Sequence, residues 1–165
     1  MMKRGQLQLS FGMIFSMIII AVTLSIAGYM IFQFMKSGDT ILCAKFKEKL
    51  QDSIDDAWRS DGASIDTRKE PLPSLPGGVD EVCFGNSTQP LLSAKDRANF
   101  DDLKEFTYPS RNLYISPHTS CKGEFSFTLK HITSRGFFCV PVTNNKIAVL
   151  ISKDSTEPLV RLSPL

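Results

Sequence analysis

The residues of this sequence that are most able to take part in chemistry are four cysteines: Cys43, Cys83, Cys121 and Cys139. No Cys-x-x-Cys pair occurs, so their spacing supports neither a zinc ribbon nor a thioredoxin-like redox site. An even set of cysteines is typical of disulfide bonds formed in an oxidising compartment. Four cysteines allow three pairings, and we favour Cys121–Cys139 with Cys43–Cys83, which would clamp a helix to a sheet.

The histidines and aspartates do not form a recognisable catalytic or metal-binding pattern. His118 and His131 have no second ligand at i+2 to i+4. Cys121 lies three residues after His118, but a disulfide would use the same sulfur that a nucleophile needs. The aspartates between residues 52 and 61 lack the spacing of a calcium loop and fit a solvated helix face. The sequence therefore predicts a protein that is not an enzyme and has no cofactor or metal.

These residues must be positioned by elements that follow an uncharged apolar segment. Phe11–Met35 contains no Lys, Arg, Asp, Glu or His. As a helix it would extend about 37 Å, more than the roughly 30 Å of a hydrocarbon core. A cleaved secretory signal ending at Ser25-Ile26-Ala27 is the alternative, but the apolar run continues well past that site. We predict an uncleaved transmembrane helix over residues 11–35, with the lipid bilayer as a partner.

The orientation of this span follows from charges and cysteines together. Lys3 and Arg4 favour a cytoplasmic N-terminus, whereas Lys36 and the lysines of residues 45–49 favour the reverse. All four cysteines follow the span, and disulfides require an oxidising exterior. We predict a single-pass cell-membrane protein in which residues 1–10 are a cytoplasmic tail or leader and the C-terminal domain is extracellular. In that orientation Asn86, in the triplet Asn86-Ser87-Thr88, is a candidate for glycosylation.

The beginning of the chain resembles a known processing signal. Lys3-Arg4-Gly5-Gln6 is followed by a short polar–apolar mixture and then by the long apolar segment. This order resembles the class III signal segment of archaeal type IV pilin-like proteins, in which a prepilin peptidase cuts after a small residue and leaves the apolar helix on the mature protein. The resemblance implies cleavage between Gly5 and Gln6, a prepilin-type peptidase as a partner, and self-assembly through the N-terminal helix. Where the family commonly has an acidic residue, near the fifth mature position, this chain has Ser10.

The segment after the span has the periodicity of an amphipathic helix. One apolar stripe recurs at every fourth residue within the predicted stalk of residues 36–60: Leu42, Phe46, Leu50, Ile54 and Trp58. This stripe fits either the outward continuation of a pilin-like helix or a juxtamembrane helix packed on its own domain. Both interpretations bury the stripe against a sheet.

A change of periodicity marks the outer domain. A linker at residues 61–78 contains a run rich in Pro and Gly, and residues 79–165 then alternate with a period of two. We predict strands at 79–84, 112–116, 125–129, 136–142 and 146–152, a final edge strand at 158–162, and a hairpin turn at Thr143-Asn144-Asn145. The fold class is therefore α+β: a long helix followed by one small antiparallel sheet, in a pilin-like layout.

The predicted core combines the helix stripe with the inward positions of the strands. Its members are Phe46, Leu50, Trp58, Phe84, Phe125, Phe127, Leu129, Phe138, Val140, Ile147, Val149 and Ile151.

Composition narrows the function. After residue 35 the chain carries 17 basic and 17 acidic side chains, so it lacks the basic excess that nucleic-acid binding requires. The sequence predicts a membrane-anchored, non-enzymatic pilin-like or pseudopilin-like structural subunit with a disulfide-bonded outer domain. The alternative is a single-span cell-surface protein whose outer domain binds a protein or glycan partner.

Overall fold

The computed structural model describes residues 11–60, 62–86, 88–104 and 110–165. The chain divides into two compact units, Met1–Ser37 and Gly38–Leu165. Helix α1 (Phe11–Arg59) begins in the first unit and ends in the second. In the described part of the second unit the helix is followed by strands, a short 3-10 helix (Ala94–Asp96) and a short α-helix. The predicted α+β class is confirmed at this level, as a long apolar N-terminal helix followed by antiparallel-rich sheets.

The strands of the second unit form two four-stranded sheets. The first sheet has the order β1–β7–β8–β5 and the second the order β4–β3–β2–β6. All pairs are antiparallel except β5 with β8, which is parallel. The prediction of one sheet is therefore wrong. The strands are β1 (Ser64–Asp66), β2 (Glu81–Phe84), β3 (Leu113–Ser116), β4 (Ser126–Phe127), β5 (Ile132–Thr133), β6 (Phe138–Pro141), β7 (Val149–Ser152) and β8 (Val160–Pro164).

The predicted hairpin forms at its turn but not along its strands. Asn144 and Asn145 both have positive φ, and Thr143 and Lys146 exchange two backbone hydrogen bonds across them. The pairing ends there, because β6 belongs to the second sheet and β7 to the first. Pro141 contributes to the separation of β6 from β7. It has no backbone N–H group, so it cannot donate a hydrogen bond to a second strand beside β6. The chain thus crosses between sheets at the Asn144-Asn145 turn.

The final strand is also placed differently from the prediction. β8 lies between β7 and β5 rather than at an edge. Its parallel partner β5 has only two residues, Ile132 and Thr133, and these carry too little alternation to predict a strand. Neither β5 nor β1 was expected from the sequence.

Three of the five predicted stripe residues, Phe46, Leu50 and Ile54, are buried, whereas Leu42 is half-buried and Trp58 is exposed. Cys43, Phe46, Leu50, Ile54 and Ala57 are buried in one apolar cluster with residues of both sheets. Ten of the twelve predicted core residues are buried. Trp58 is the main error: its side chain is 37% exposed, because Ala57 takes the inward position in the last turn of α1. Phe125 is half-buried and packs against a second cluster.

That second cluster lies around the buried residues Cys83, Tyr114 and Phe137. Helix α2 (Arg97–Lys104) lies next to it and contributes Phe100, whose ring meets Phe137 edge-on with centroids 5.0 Å apart. The Tyr114 hydroxyl donates to the Arg111 carbonyl, and burial raises the pKa of this phenol.

The outer edge of β6 is covered by the segment that precedes α2. Phe137 donates its N–H to the Pro90 carbonyl, and the Asp96 carboxylate accepts the N–H of Cys139. The next outward position is Pro141, which has no N–H. An exposed strand edge can pair with a strand of another molecule. The two hydrogen bonds and the proline leave no free N–H group at these three positions, so they protect the edge of β6 from such pairing.

Candidate functional site: the apolar helix and its tether

The first part of α1 presents apolar side chains on all sides. Every side chain from Phe11 to Phe34 is exposed, and none of these residues is Lys, Arg, Asp, Glu or His. Among the described residues, α1 is the one helix long and apolar enough to cross a membrane. A soluble protein rarely exposes a contiguous apolar surface of this extent. The segment therefore needs either lipid or protein around it.

The few polar groups on this helix are bonded within the helix. The hydroxyls of Ser16, Thr23 and Ser25 donate to the carbonyls four residues earlier, at 2.8, 3.0 and 2.8 Å. The Gln33 amide donates to the Tyr29 hydroxyl at 2.7 Å, one turn back. Such bonds satisfy polar groups without water, which is the condition that a hydrocarbon environment imposes.

The second unit holds the beginning of its own helical segment through two links. A disulfide joins Cys43 of α1 to Cys121, 78 positions later in the chain. Asp39 forms an ion pair with Lys122 at 3.0 Å. Cys121 and Lys122 belong to the loop between β3 and β4, which we call the tether loop (residues 117–124). The helix and the sheets are therefore covalently joined where α1 enters the second unit.

The second disulfide lies inside one sheet. Cys83 of β2 and Cys139 of β6 are direct cross-strand partners and are bonded to each other. All four cysteines are thus in disulfides, but the favoured pairing Cys121–Cys139 with Cys43–Cys83 is wrong. The prediction paired Cys121 with Cys139. In the structure the register of β2 and β6 places Cys83 opposite Cys139, and Cys121 lies in the tether loop, next to Cys43 of the helix.

The far end of α1 is held by side chains rather than by a covalent bond. Gln51 donates to the Lys130 carbonyl and accepts the Lys130 N–H, at 3.3 and 2.8 Å. Asp55 Oδ1 lies 3.1 Å from His131 Nδ1. The Trp58 ring stacks on the His131 ring with centroids 4.0 Å apart, and its Nε1 donates to the Pro158 carbonyl. The hydrogen bond to His131 is the main cause that lowers the pKa of Asp55.

The structure does not bring the predicted chemistry together into a catalytic or metal centre among the residues it describes. His118 packs edge-on against Phe125, and the sulfur of Cys121 is in a disulfide. Glu81 lies with Cys83 and Cys139 within 4.8 Å, but both sulfurs are bonded to each other and offer no thiolate.

The remaining predicted site residues fall in two places. Gly5 and Gln6 lie outside the described residues. Asn86 is half-buried at a turn after β2, where its Oδ1 accepts the Thr88 N–H at 3.3 Å. The Asp55–His131–Trp58 contacts were not expected, since no spacing in the sequence relates residues 76 positions apart.

Comparisons with known proteins identify no relative of this chain. The chain matches no protein-family model, no curated protein and no solved structure.

Proposed function

We propose that this chain is a non-enzymatic, membrane-anchored structural subunit of the pilin-like or pseudopilin-like kind. Residues 11–35 span the membrane, and the disulfide-bonded domain lies outside the cell. The observation that carries the proposal is the fully exposed, uncharged first part of α1. A bilayer is the solvent that this surface fits, because it buries the apolar side chains and the helix satisfies its own backbone.

The paired cysteines support the outward orientation. Disulfides persist in oxidising compartments and are rare in the cytosol. With all four cysteines bonded, the second unit has the character of an extracellular domain. The tether loop supports a structural role, because its Cys121 joins α1 covalently to the loop between β3 and β4.

A second candidate keeps the anchor but not the assembly. No acidic residue precedes Asp39, and Ser10 stands where the resembling family commonly has one. This observation favours a single-span surface protein whose outer domain binds a protein or glycan partner. Both candidates share the membrane span and the extracellular domain.

Analysis of the native N-terminus distinguishes the two candidates. The subunit proposal expects mass spectrometry to find Gln6 as the first residue, and mild cross-linking in membranes to give multimers. Replacing Gly5 by a bulky residue (Gly5→Leu) should block this maturation, whereas Gln8→Ala, which leaves the cleavage site unchanged, should not. A chain that retains Met1 or Met2 and gives no multimers would reject the subunit proposal and leave the surface-protein candidate.

A further inference from the structure

A cavity of about 320 Å³ opens at one edge of the first sheet, beside the paired strands β5 and β8. Its lining comes from Thr133, Ser134 and Arg135 on the β5 side, and from residues 157–159 and Arg161 on the β8 side. All of these residues belong to the second unit. A volume of this size lies at the lower end of the range that is typical of small-molecule sites.

Both sides of the cavity are held by side chains of other elements. The Ser134 hydroxyl donates to Gln89 Oε1 at 2.9 Å, and Gln89 Nε2 donates to the Ser134 carbonyl at 3.2 Å. Trp58 Nε1 donates to the Pro158 carbonyl at 3.1 Å. The cavity is therefore formed before a ligand enters, which reduces the entropy cost of binding.

The charge of the cavity comes from two arginines and one carboxylate. Among the described residues, the Arg161 guanidinium has a single partner, Glu157, and the exposed Arg135 guanidinium has none. A guanidinium has five N–H donors in a planar fork that matches a carboxylate. The three side chains together carry a net charge of one positive, and most of their donors are unused. This arrangement fits a ligand with one carboxylate.

The remaining lining suits the ring of a sugar. The hydroxyls of Thr133 and Ser134 can exchange hydrogen bonds with sugar hydroxyls, since each hydroxyl both donates and accepts. Pro158 and Leu159 are exposed and apolar, so they offer a surface to the C–H groups of the ring. A carboxylate without a ring would use the arginines but neither of these surfaces.

We propose that this cavity binds a sugar that carries a carboxylate, a uronic acid, and that Arg135 and Arg161 hold its carboxylate. The inference rests on the second candidate function, because it names a glycan partner for the outer domain. Glu157 competes with the ligand for Arg161, so the protein's own carboxylate limits the affinity of the site.

Two sugars that differ at one group test the inference. Methyl β-D-glucuronide has a carboxylate where methyl β-D-glucoside has a hydroxymethyl group. The full-length protein, in a detergent without a sugar headgroup, is titrated with each sugar. The indole N–H resonance of Trp58, the single tryptophan, reports binding because this group donates to Pro158 in the cavity. We expect a dissociation constant on the order of 1 mM for the glucuronide and binding at least about tenfold weaker for the glucoside.

Two substitutions should change the affinity for the glucuronide in opposite directions. Arg135→Gln should weaken binding about tenfold, since it removes charged hydrogen bonds from an exposed position. Glu157→Gln should strengthen binding severalfold, because it releases Arg161 to the ligand; a folding defect would not increase affinity. Arg97→Gln, at an exposed arginine of α2, is the matched control and should have no effect.

Three results would overturn the inference. Equal affinity for the two sugars would show that the carboxylate is not recognised. A peptide, acetyl-Gly-Glu-Gly-amide, that binds as tightly as the glucuronide would show that the sugar ring is not recognised. No shift of the Trp58 resonance with either sugar, in protein that was retained by alkaline-washed membranes, would reject the sugar site and leave the proposed anchor in place.

Discussion

At the residue scale, two buried or half-buried carboxylates behave in opposite ways. Asp55 is stabilised in its charged form by the contact with His131, which lowers its pKa. Asp96 is buried beside β6, and desolvation raises its pKa although it accepts the N–H of Cys139. The first carboxylate favours folding when it is ionised, and the second opposes it.

Asp55→Asn tests the first carboxylate. Because the folded pKa lies below the unfolded value of about 3.9, the stabilisation by Asp55 is present above that pH and is lost as the pH falls through the folded pKa. We expect the substitution to lower the free energy of unfolding by about 0.5 kcal/mol at pH 5–7, as for other partly exposed pairs, and to have little effect near pH 2. Trp58, the single tryptophan, stacks on His131 and reports the change by its fluorescence.

Asp56→Asn is the matched control for Asp55, since Asp56 is an exposed neighbour on the same helix. It should change neither the fluorescence nor its pH dependence. An Asp55→Asn protein with the stability and Trp58 emission of the unaltered chain from pH 2 to 7 would show that the contact does not contribute.

Asp96 gives a prediction of the opposite sign. Its raised folded pKa means that its contribution is most favourable below about pH 3.9 and is lost as the pH rises through the folded pKa. Asp96→Asn keeps an oxygen for the Cys139 N–H without a buried charge, so its stability at pH 7 should equal or exceed that of the unaltered chain. Asp96→Ala should lose about 1–2 kcal/mol, because a protected N–H is left unpaired.

Chemical denaturation at pH 4 and pH 7 measures these differences, with the exposed Asp101→Asn as a control. The advantage of Asn over Asp at position 96 should grow between the two pH values. Equal losses from the Asn and Ala substitutions would mean that the charge itself, rather than an acceptor, is needed at the edge of β6.

At the scale of elements, the part of α1 in the second unit is joined to the tether loop by a disulfide at Cys43 and is held near Arg59 by side-chain contacts. The buried stripe residues Phe46, Leu50 and Ile54 lie between these attachments and supply the apolar contact, together with Cys43 and Ala57. Local pattern was sufficient to predict the centre of the stripe, because helical periodicity is encoded within one segment. It was not sufficient for Trp58, whose place depends on a loop residue, His131, far away in the chain.

The sheets were harder to predict for the same reason. The Asn144-Asn145 turn is a local signal and forms as expected, but whether its flanking strands pair depends on β2, β1 and β8, which compete for the same edges. Disulfide partners are a tertiary property as well, so four cysteine positions could not decide between three pairings. The candidate site also combines a local feature with a tertiary one. The apolar span was evident from the composition of one segment, whereas the disulfide between Cys43 and Cys121 was not.

The two disulfides should differ in what they hold. Replacing Cys43 and Cys121 by serine should lower stability by about 2–4 kcal/mol, since a long loop is released in the unfolded chain. It should also increase hydrogen exchange in the first helical turns of the second unit, near Cys43. The matched double substitution at Cys83 and Cys139 should destabilise the sheet and leave exchange around Cys43 nearly unchanged, because the Cys43–Cys121 link remains.

Hydrogen exchange with mass spectrometry on the full chain in detergent separates these outcomes. If both double variants gave the same exchange pattern, the Cys43–Cys121 bond would have no special role in holding α1.

At the scale of the whole molecule, the two units have opposite solvent requirements. The first part of α1 exposes apolar side chains and bonds its own hydroxyls, whereas Gly38–Leu165 buries two apolar clusters and places its charged side chains mostly at the surface. A chain with both properties is stable at a membrane–water boundary. The proposed anchor, the proposed orientation and the proposed structural role all depend on this division.

Fractionation of native membranes tests that division most directly. Membranes are washed with alkaline carbonate, and the intact mass of the chain is measured in the pellet and in the supernatant. We expect the chain in the pellet, with a mass that includes residues 11–35, and its release only by detergent. A chain found in the supernatant, or one whose mass shows that it begins after Ala27, would contradict the account.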